Sequence, residues 1–331
     1  MENNLMVSST PHVRSKDTIS SVMRDVVIAL LPAAIMGIVY FGLKAALIMI
    51  VSIVSAVGFE ALYQKATKQK VTVTDFSAVI TGLLLAMNLP STAPLWVPIV
   101  GAFFAIIIVK QLFGGLGQNF MNPALGARAF LVASYPTFTT GAAFGATGYG
   151  VVGVMDATTQ ATPLAQIKEG AVTVTQNDMI NALVGNIGGC IGETCAIALI
   201  LGGVYLIIRK VISWKIPVCY ILTVFILTCL FKATGIAAAA NRQPVYELLT
   251  GGLMLGAFFM ATDYASSPVT PRGQVIMGIG CGVLTTLIRI FGGYPEGVSY
   301  SILLMNLCVP LIDRYTRPTI FGAIKKEAKK A

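Results

Sequence analysis

The chain has few charged residues for its length. Asp, Glu, Lys and Arg make up 11% of its 331 residues, whereas hydrophobic residues make up 56%. Soluble globular proteins carry roughly 25% charged residues. The mean hydropathy is +0.80. So few charges cannot solvate the surface of a soluble protein of this size, and the composition therefore predicts that most of the surface faces a lipid bilayer.

The sequence also lacks the signatures of several other classes. Its single histidine, His12, cannot form a metal site alone, and its six cysteines lie inside apolar runs without zinc-site or disulfide spacing. The first twenty residues contain no apolar core, so no cleaved signal peptide is expected. The net charge of +9 is dispersed along the chain, which argues against nucleic acid as a partner.

Apolar runs of membrane-spanning character recur along the chain. About 20 apolar residues are needed to cross a bilayer as a helix. Ten candidate spans appear, five in each half, and the sixth is interrupted by Glu193: residues 26–43, 45–63, 76–90, 94–109, 123–133, 179–208, 216–231, 248–262, 273–288 and 297–312. The sequence thus predicts an all-α integral membrane protein with about ten transmembrane helices.

Lysine and arginine set the expected orientation of these spans, because cytoplasmic loops are enriched in both. With a cytoplasmic N-terminus, 17 of the 23 basic residues fall on the inner side and five on the outer side. Both termini are therefore expected to be cytoplasmic. The predicted divisions are an N-terminal segment 1–25, a first five-helix repeat 26–134, an extracytoplasmic loop 135–178, a second five-helix repeat 179–313 and a basic tail 314–331.

Five spans in each half place the two halves in opposite orientations, as in transporters built from inverted repeats. The third span contains Thr81-Gly82-Leu-Leu-Leu and the eighth Gly251-Gly252-Leu-Met-Leu. Both spans are then interrupted, at residues 88–94 and at residues 262–268. Non-helical backbone at membrane depth is tolerated where it lines a polar site. Asn88 and Asp263, in the two interruptions, are therefore candidates for an ion pathway, although two ordinary helices with proline-bearing loops are the alternative.

Two ionisable residues fall inside apolar spans, Arg128 and Glu193. Such residues are rare in membranes and commonly functional, so both are further candidates for the ion pathway. The alternative is that they pair across helices and only hold the bundle together. Glu60 lies near the inner end of the second span, where a carboxylate is expected to reach the lipid headgroups.

The loop 135–178 is long, and rich in Gly, Thr and Ala, as functional or disordered connections are. It contains Asp156-Ala-Thr-Thr159-Gln160-Ala161-Thr162. The pattern D-x-x-[S/T]-x-A-T resembles the acceptor site of bacterial flavin transferases, in which the last threonine carries FMN through a phosphoester bond. A turn that caps the following segment is the alternative reading of the same residues.

The whole chain resembles a known family, that of the RnfD membrane component of Rnf electron-transport complexes and, more distantly, the NqrB component of the sodium-translocating NADH:quinone reductase. Besides the acceptor motif, three segments carry the resemblance: Ser9-Thr-Pro-His12, Phe120-Met-Asn122-Pro-Ala-Leu-Gly-Ala-Arg128-Ala-Phe and Gly192-Glu193-Thr194. NqrB is longer at its N-terminus, so RnfD is the better match. Gln160 departs from the Gly, Ser or Ala that is usual at its position in the motif.

The resemblance implies an FMN on Thr162, with Asp156, Thr159 and Ala161 as recognition elements. It also implies a urea-channel-like bundle and a role as one subunit of an ion-translocating ferredoxin:NAD⁺ oxidoreductase, incomplete alone, that relays electrons and contributes to Na⁺ or H⁺ transport. A second, noncovalent flavin such as riboflavin follows by analogy. The implied partners are a flavin transferase, iron–sulfur subunits and a second subunit with covalent flavin. A redox-silent channel or transporter of the same architecture is the competing hypothesis.

Overall fold

The computed structural model describes residues 17–140, 162–168, 174–193, 195–235, 242–293 and 296–318. The N-terminal segment with His12, the lysines of the C-terminal tail, and the motif residues Asp156, Thr159 and Ala161 lie outside the described residues. Within them the chain is helical, and no strand forms beyond an isolated bridge between Pro90 and Cys190.

Fourteen helices are present in the described ranges besides a single 3₁₀ turn at Val73–Asp75, and we number them in chain order. They are α1 Ile19–Phe41, α2 Leu43–Ala66, α3 Ser77–Met87, α4 Trp96–Gln111, α5 Pro123–Ser134, α6 Pro136–Thr139, α7 Pro163–Lys168, α8 Gln176–Val184, α9 Ala196–Ile208, α10 Lys215–Ala233, α11 Pro244–Leu249, α12 Leu253–Met260, α13 Pro271–Phe291 and α14 Val298–Thr316. Both α4 and α12 end in π-helical turns, Phe104–Gln111 and Gly256–Met260.

Four of the described helices, α1, α2, α10 and α13, are long and apolar enough to cross a membrane. Helices α3, α4, α5 and α9 are apolar but shorter. Leucine, isoleucine and phenylalanine side chains project from these helices at exposed positions, as a lipid-facing surface requires. The chain is therefore a multi-pass membrane protein, and its short helices mark where the membrane-embedded backbone is broken.

The interruptions at residues 88–94 and 262–268 coincide with non-helical backbone. Helix α3 ends at Met87 and α4 begins at Trp96, and no helix lies between α12 and α13, which begins at Pro271. The prolines in both segments lack the N–H that a continuing helix would use. These two expectations from the sequence are confirmed.

Two of the predicted spans, 179–208 and 248–262, are not continuous helices. The first divides into α8 and α9, because Gly185 takes a left-handed conformation (φ 112°) that ends α8. The second divides into α11 and α12 at Gly251 and Gly252, whose φ angles are 65° and 68°. Hydropathy alone detects neither break, since glycine interrupts a helix without adding polarity.

The non-helical segments after α3 and before α9 form backbone hydrogen bonds with each other. The N–H of Ile191 donates to the carbonyl of Leu89 at 3.0 Å, and the N–H of Gly192 donates to the carbonyl of Met87 at 2.8 Å. Unpaired backbone groups are costly in a membrane interior, so this mutual pairing explains how two non-helical segments persist side by side. It also places Asn88 beside Glu193.

Candidate functional site

Arg128 is the centre of a buried polar site. It lies on α5, whose first turn is fixed by Asn122, because the Asn122 side chain accepts hydrogen bonds from the N–H groups of Ala124 and Leu125 at 3.0 and 3.3 Å. Pro123 supplies the preorganised first position of the helix. From this anchored helix the Arg128 side chain extends to the two broken segments.

The guanidinium of Arg128 joins four segments of the chain. Its Nη1 donates to Oδ1 of Asn88 at 2.7 Å and to Oε1 of Glu193 at 3.1 Å. Its Nη2 donates to Oε2 of Glu296 and lies 3.7 Å from Sγ of Cys190. We call these five residues the Arg128 cluster. All are buried except Glu296, whose side chain is 17% exposed.

The structure thus brings together three of the four residues proposed for the ion pathway. The expected pairing of Arg128 with Glu193 is confirmed, and Asn88 belongs to the same cluster. Sequence reasoning missed Glu296, because it follows Gly292 and Gly293 in a connection that reads as water-exposed. Only its position directly before α14 signals that its side chain can turn inward.

Thr162, the predicted flavin acceptor, lies next to this cluster. It is 6% exposed and starts α7, where its carbonyl accepts from the N–H of Gln166 at 3.0 Å and its Oγ1 from the N–H of Ala165 at 3.4 Å. A small cavity of about 10 Å³, roughly the space of one water molecule, is lined by Thr162, Glu193 and Glu296 together with Leu164, Ile187, Gly188, Gly189, Thr250 and Gly251. A covalent group on Thr162 would therefore be adjacent to the buried charges.

A second network of buried charges borders the same cavity. Glu247 accepts from Arg242 through Oε1 and from Arg289 through Oε2, the latter at 2.8 Å. Arg289 also donates to the carbonyls of Thr250 and Gly251, at 3.1 and 3.3 Å. Both arginines were expected in outer segments, yet each is 1% exposed. This network fixes the backbone turn that forms one wall of the cavity.

Helix α7 is held at its other end by Lys168, whose ammonium donates to the carbonyl of Gly292. Partial desolvation and the nearby positive charge of Arg242 lower the pKa of Lys168. Because Gly292 ends α13 and leads to Glu296, this contact ties the Thr162 segment to the connection that carries Glu296.

Asp263, the fourth residue proposed for the ion pathway, is not part of the Arg128 cluster. Its carboxylate accepts from Asn119 at 3.3 Å and from Ser266 at 2.9 Å. It lines a separate cavity of about 90 Å³ that mixes apolar side chains such as Phe258 and Leu84 with polar ones: Ser77, Thr81, Lys110, Asn119, Asn122 and Thr262. The residues expected to form one site are therefore divided between two.

Glu60 does not reach the lipid headgroups, and that expectation was wrong. The residue is 1% exposed, and its carboxylate contacts Nζ of Lys110 at 2.9 Å and Nε2 of Gln111 at 2.9 Å. Lys110, counted from the sequence among the inner-side charges, is 2% exposed and also donates to Ser77 at 2.7 Å. Burying the pair is tolerated because each charge meets a partner and a further hydrogen bond.

Comparison of the amino-acid sequence with known proteins identifies the family of the chain. The model of the NQR2, RnfD, RnfE family matches residues 6–322. The chain belongs to this family. It is 51% identical over 332 residues to the D subunit of the Na⁺-translocating ferredoxin:NAD⁺ oxidoreductase complex of Acetobacterium woodii, with 99% of both chains covered.

Two further relatives extend the comparison. The D subunit of the proton-translocating ferredoxin:NAD⁺ oxidoreductase complex of Clostridium ljungdahlii is 46% identical, with 97% of both chains covered. The D subunit of the ion-translocating oxidoreductase complex of Aliivibrio salmonicida is 34% identical, with 96% of this chain and 98% of the relative covered. The resemblance to this family drawn from the acceptor motif and the three further segments is thereby confirmed over essentially the full length.

Membership of the family raises the question of whether the surroundings of Thr162 suit a covalently bound flavin. A threonine hydroxyl is the group that a phosphoester to FMN requires, and Thr162 lines the small cavity together with Glu193 and Glu296. The guanidinium of Arg128 and the thiol of Cys190 lie next to these carboxylates. The hydroxyl thus meets the chemical requirement of the ester, whereas the cavity itself holds about one water molecule and would have to widen to admit a flavin ring.

Proposed function

We propose that the chain is a membrane subunit of an ion-translocating ferredoxin:NAD⁺ oxidoreductase complex and carries one of its redox cofactors. The full-length similarity to relatives named as D subunits of such complexes supports this function. The single observation that carries the cofactor assignment is the position of Thr162 in a cavity shared with Glu193 and Glu296. On its own the chain would complete no reaction.

The cofactor that we propose is FMN joined to Thr162 through a phosphoester bond, with Asp156, Thr159 and Ala161 as recognition elements for a flavin transferase. Such an ester leaves the flavin ring system free to exchange electrons one at a time and prevents loss of the group to water. Thr162 would hold the phosphate, while the turn at Thr250 and Gly251 and the carboxylates of Glu193 and Glu296 would border the site.

The ion pathway that we propose uses Arg128, Glu193 and Asn88 at one site and Asp263 at another. In membranes, buried ionisable groups that face a cavity commonly serve ion movement. The coupling ion is Na⁺ or H⁺, because the relatives include named translocators of each. The cavity beside Asp263, whose lining combines apolar side chains with a few polar ones, is our candidate for a second, noncovalent flavin such as riboflavin.

The architecture that we propose has ten spans in two inverted five-helix repeats, with both termini cytoplasmic and the loop 135–178 outside. The matched breaks after α3 and after α12 support the repeat. A redox-silent channel of the same architecture is the alternative, and the names of the relatives do not favour it. The proposed partners are iron–sulfur subunits and a second subunit with covalent flavin.

In-gel flavin fluorescence distinguishes the two functions. We expect the chain, produced together with a flavin transferase, to give a band that fluoresces under ultraviolet light after denaturation, because an ester survives conditions that release noncovalent flavin. The same chain produced without the transferase is the matched control and should be dark. A dark band from the transferase-containing host would favour the redox-silent channel.

The side of the membrane that Thr162 faces is tested by thiol labelling. Gln166 lies on α7, one turn from Thr162, and a Gln166→Cys variant in a chain without its native cysteines should react in whole cells with a reagent that cannot cross the membrane. A cysteine at Lys65, near the end of α2, is the control for the cytoplasmic side and should react only after permeabilisation. The reverse pattern would overturn the proposed orientation.

A further inference from the structure

The Arg128 cluster contains two carboxylates and one guanidinium. One oxygen each of Glu193 and Glu296 and the sulfur of Cys190 lie within 4.8 Å of one another. Arg128 is hydrogen-bonded to both carboxylates, so one positive charge is shared by two potential negative charges. If both carboxylates were ionised, the buried cluster would hold an uncompensated negative charge.

Among the described residues, Arg128 is the cation that pairs with Glu193 and Glu296. Arg289 on α13 directs its five N–H groups at Glu247 and at the carbonyls of Glu247, Thr250, Gly251 and Glu296. The ammonium of Lys168 is directed at the carbonyl of Gly292. Arg242 is directed at Glu247 and at the carbonyl of Arg289. From α3 and the start of α7 the cluster meets only neutral groups, those of Asn88 and Thr162. Cys190 adds a neutral thiol.

We propose that Glu193 and Glu296 share one proton, so that one of the two is a carboxylic acid while the other pairs with Arg128. Two carboxylates a few ångströms apart in a water-poor site do not both ionise, because mutual repulsion and burial each disfavour the second negative charge. A bound metal cation is a poorer explanation of how the second negative charge would be compensated. Arg128 already occupies the space between the two carboxylates, and a thiol is a poor ligand for the hard cations that carboxylates bind.

The pair therefore forms a proton-loading site beside Thr162. The inference rests on the charges and distances of the cluster alone and stands whether or not Thr162 carries a flavin. It deepens the proposed ion pathway by giving Glu296, which the sequence does not single out, a defined part in it. A negative charge arriving in the neighbouring cavity would favour retention of the proton, and its departure would favour release.

Infrared spectroscopy of the purified protein tests the proposal directly. A protonated carboxylic acid gives a carbonyl stretch that an ionised carboxylate lacks, and labelling with [¹³C]glutamate shifts only the bands of glutamate. We expect the wild-type protein at neutral pH to show one such glutamic-acid band. Its absence would overturn the proposal without any variant. The comparison should be repeated with Thr162→Val, in which the band is expected to remain, since this result separates the proton site from the flavin assignment.

The assignment of the band to this pair is tested with three glutamine variants. Glu193→Gln and Glu296→Gln each leave one carboxylate for Arg128, and in each we expect complete loss of the glutamic-acid band. Glu247→Gln is the matched control, because Glu247 is also buried but accepts from two arginines, and its ionised carboxylate contributes no such band. A band that persists in both Glu193→Gln and Glu296→Gln, or disappears only in Glu247→Gln, would contradict the shared proton.

Discussion

Thr162→Val is expected to remove all covalent flavin from the chain while leaving it in the membrane. Valine has nearly the shape of threonine but no hydroxyl, and no phosphoester can form without one. The structural loss is small, since Oγ1 of Thr162 accepts only a long hydrogen bond, 3.4 Å, from the N–H of Ala165 among the described contacts of this side chain within α7. In-gel flavin fluorescence and the yield of membrane-bound protein measure the two outcomes.

Thr162→Ser provides the matched control for this prediction. Serine keeps the hydroxyl and loses a methyl group, so we expect flavin attachment to persist in that variant, if at reduced yield. A fluorescent Thr162→Val band would show that the ester forms on another residue. Loss of the protein from the membrane in Thr162→Val but not in Thr162→Ser would instead show that the hydroxyl has a structural role that its single long hydrogen bond does not explain.

Arg128→Gln is expected to have the largest effect on the stability of the protein and on the coupling of electron transfer to ion uptake. Breaking a buried charge pair by removing one partner typically costs roughly 3–5 kcal/mol, because the remaining charge is left without compensation. Here the guanidinium donates hydrogen bonds to Glu193, Glu296 and Asn88 at the same time. We expect a markedly lower thermal stability and, in an assembled complex, loss of ion uptake with electron transfer at least partly retained. Ion uptake and electron transfer should be scored separately, with flavin content as the measure of assembly.

Arg209→Gln is the control for the loss of an arginine as such. Arg209 pairs with Asp25 at 3.0 Å, but its side chain is 52% exposed, so that water screens the pair, and the buried Asp25 keeps a hydrogen bond from the hydroxyl of Tyr205 at 3.4 Å. We therefore expect that variant to fold and to couple normally. Unchanged ion uptake in a well-assembled Arg128→Gln complex would reduce Arg128 to a residue that only holds the bundle together, which was the alternative reading of its position in the sequence.

The sequence predicted the helical class and two of the places where helices break, for a clear physical reason. Apolar runs and prolines act locally, so the ends of α3 and α12 follow from residues within a few positions of them. The breaks at Gly185 and at Gly251–Gly252 were missed, because a glycine reveals a left-handed backbone only where the surrounding fold requires one. Membrane class and the proline-bearing helix ends depend on residues close in the chain, so they can be predicted from the sequence.

The candidate site was predictable only where a residue stood out against its surroundings. Arg128 and Glu193 did so as charges within apolar runs. Glu296 and Glu247 did not, because they lie in polar connections and turn inward through contacts made across more than 40 residues of chain. The burial of Glu60 and Lys110 was not predicted, for the same reason. Their positions near helix ends suggested exposure to water, but their contact with each other, across 50 residues of chain, places them in the interior.

The central claim is that this chain is a membrane flavoprotein with FMN on Thr162, and mass spectrometry tests it most directly. The intact chain from a host with the flavin transferase should exceed the mass of its sequence by one FMN less one water. After digestion, the same increment should appear on the peptide that contains Thr162, and fragmentation should localise it to that residue. An intact chain at its unmodified mass, or an increment on a peptide without Thr162, would contradict the account.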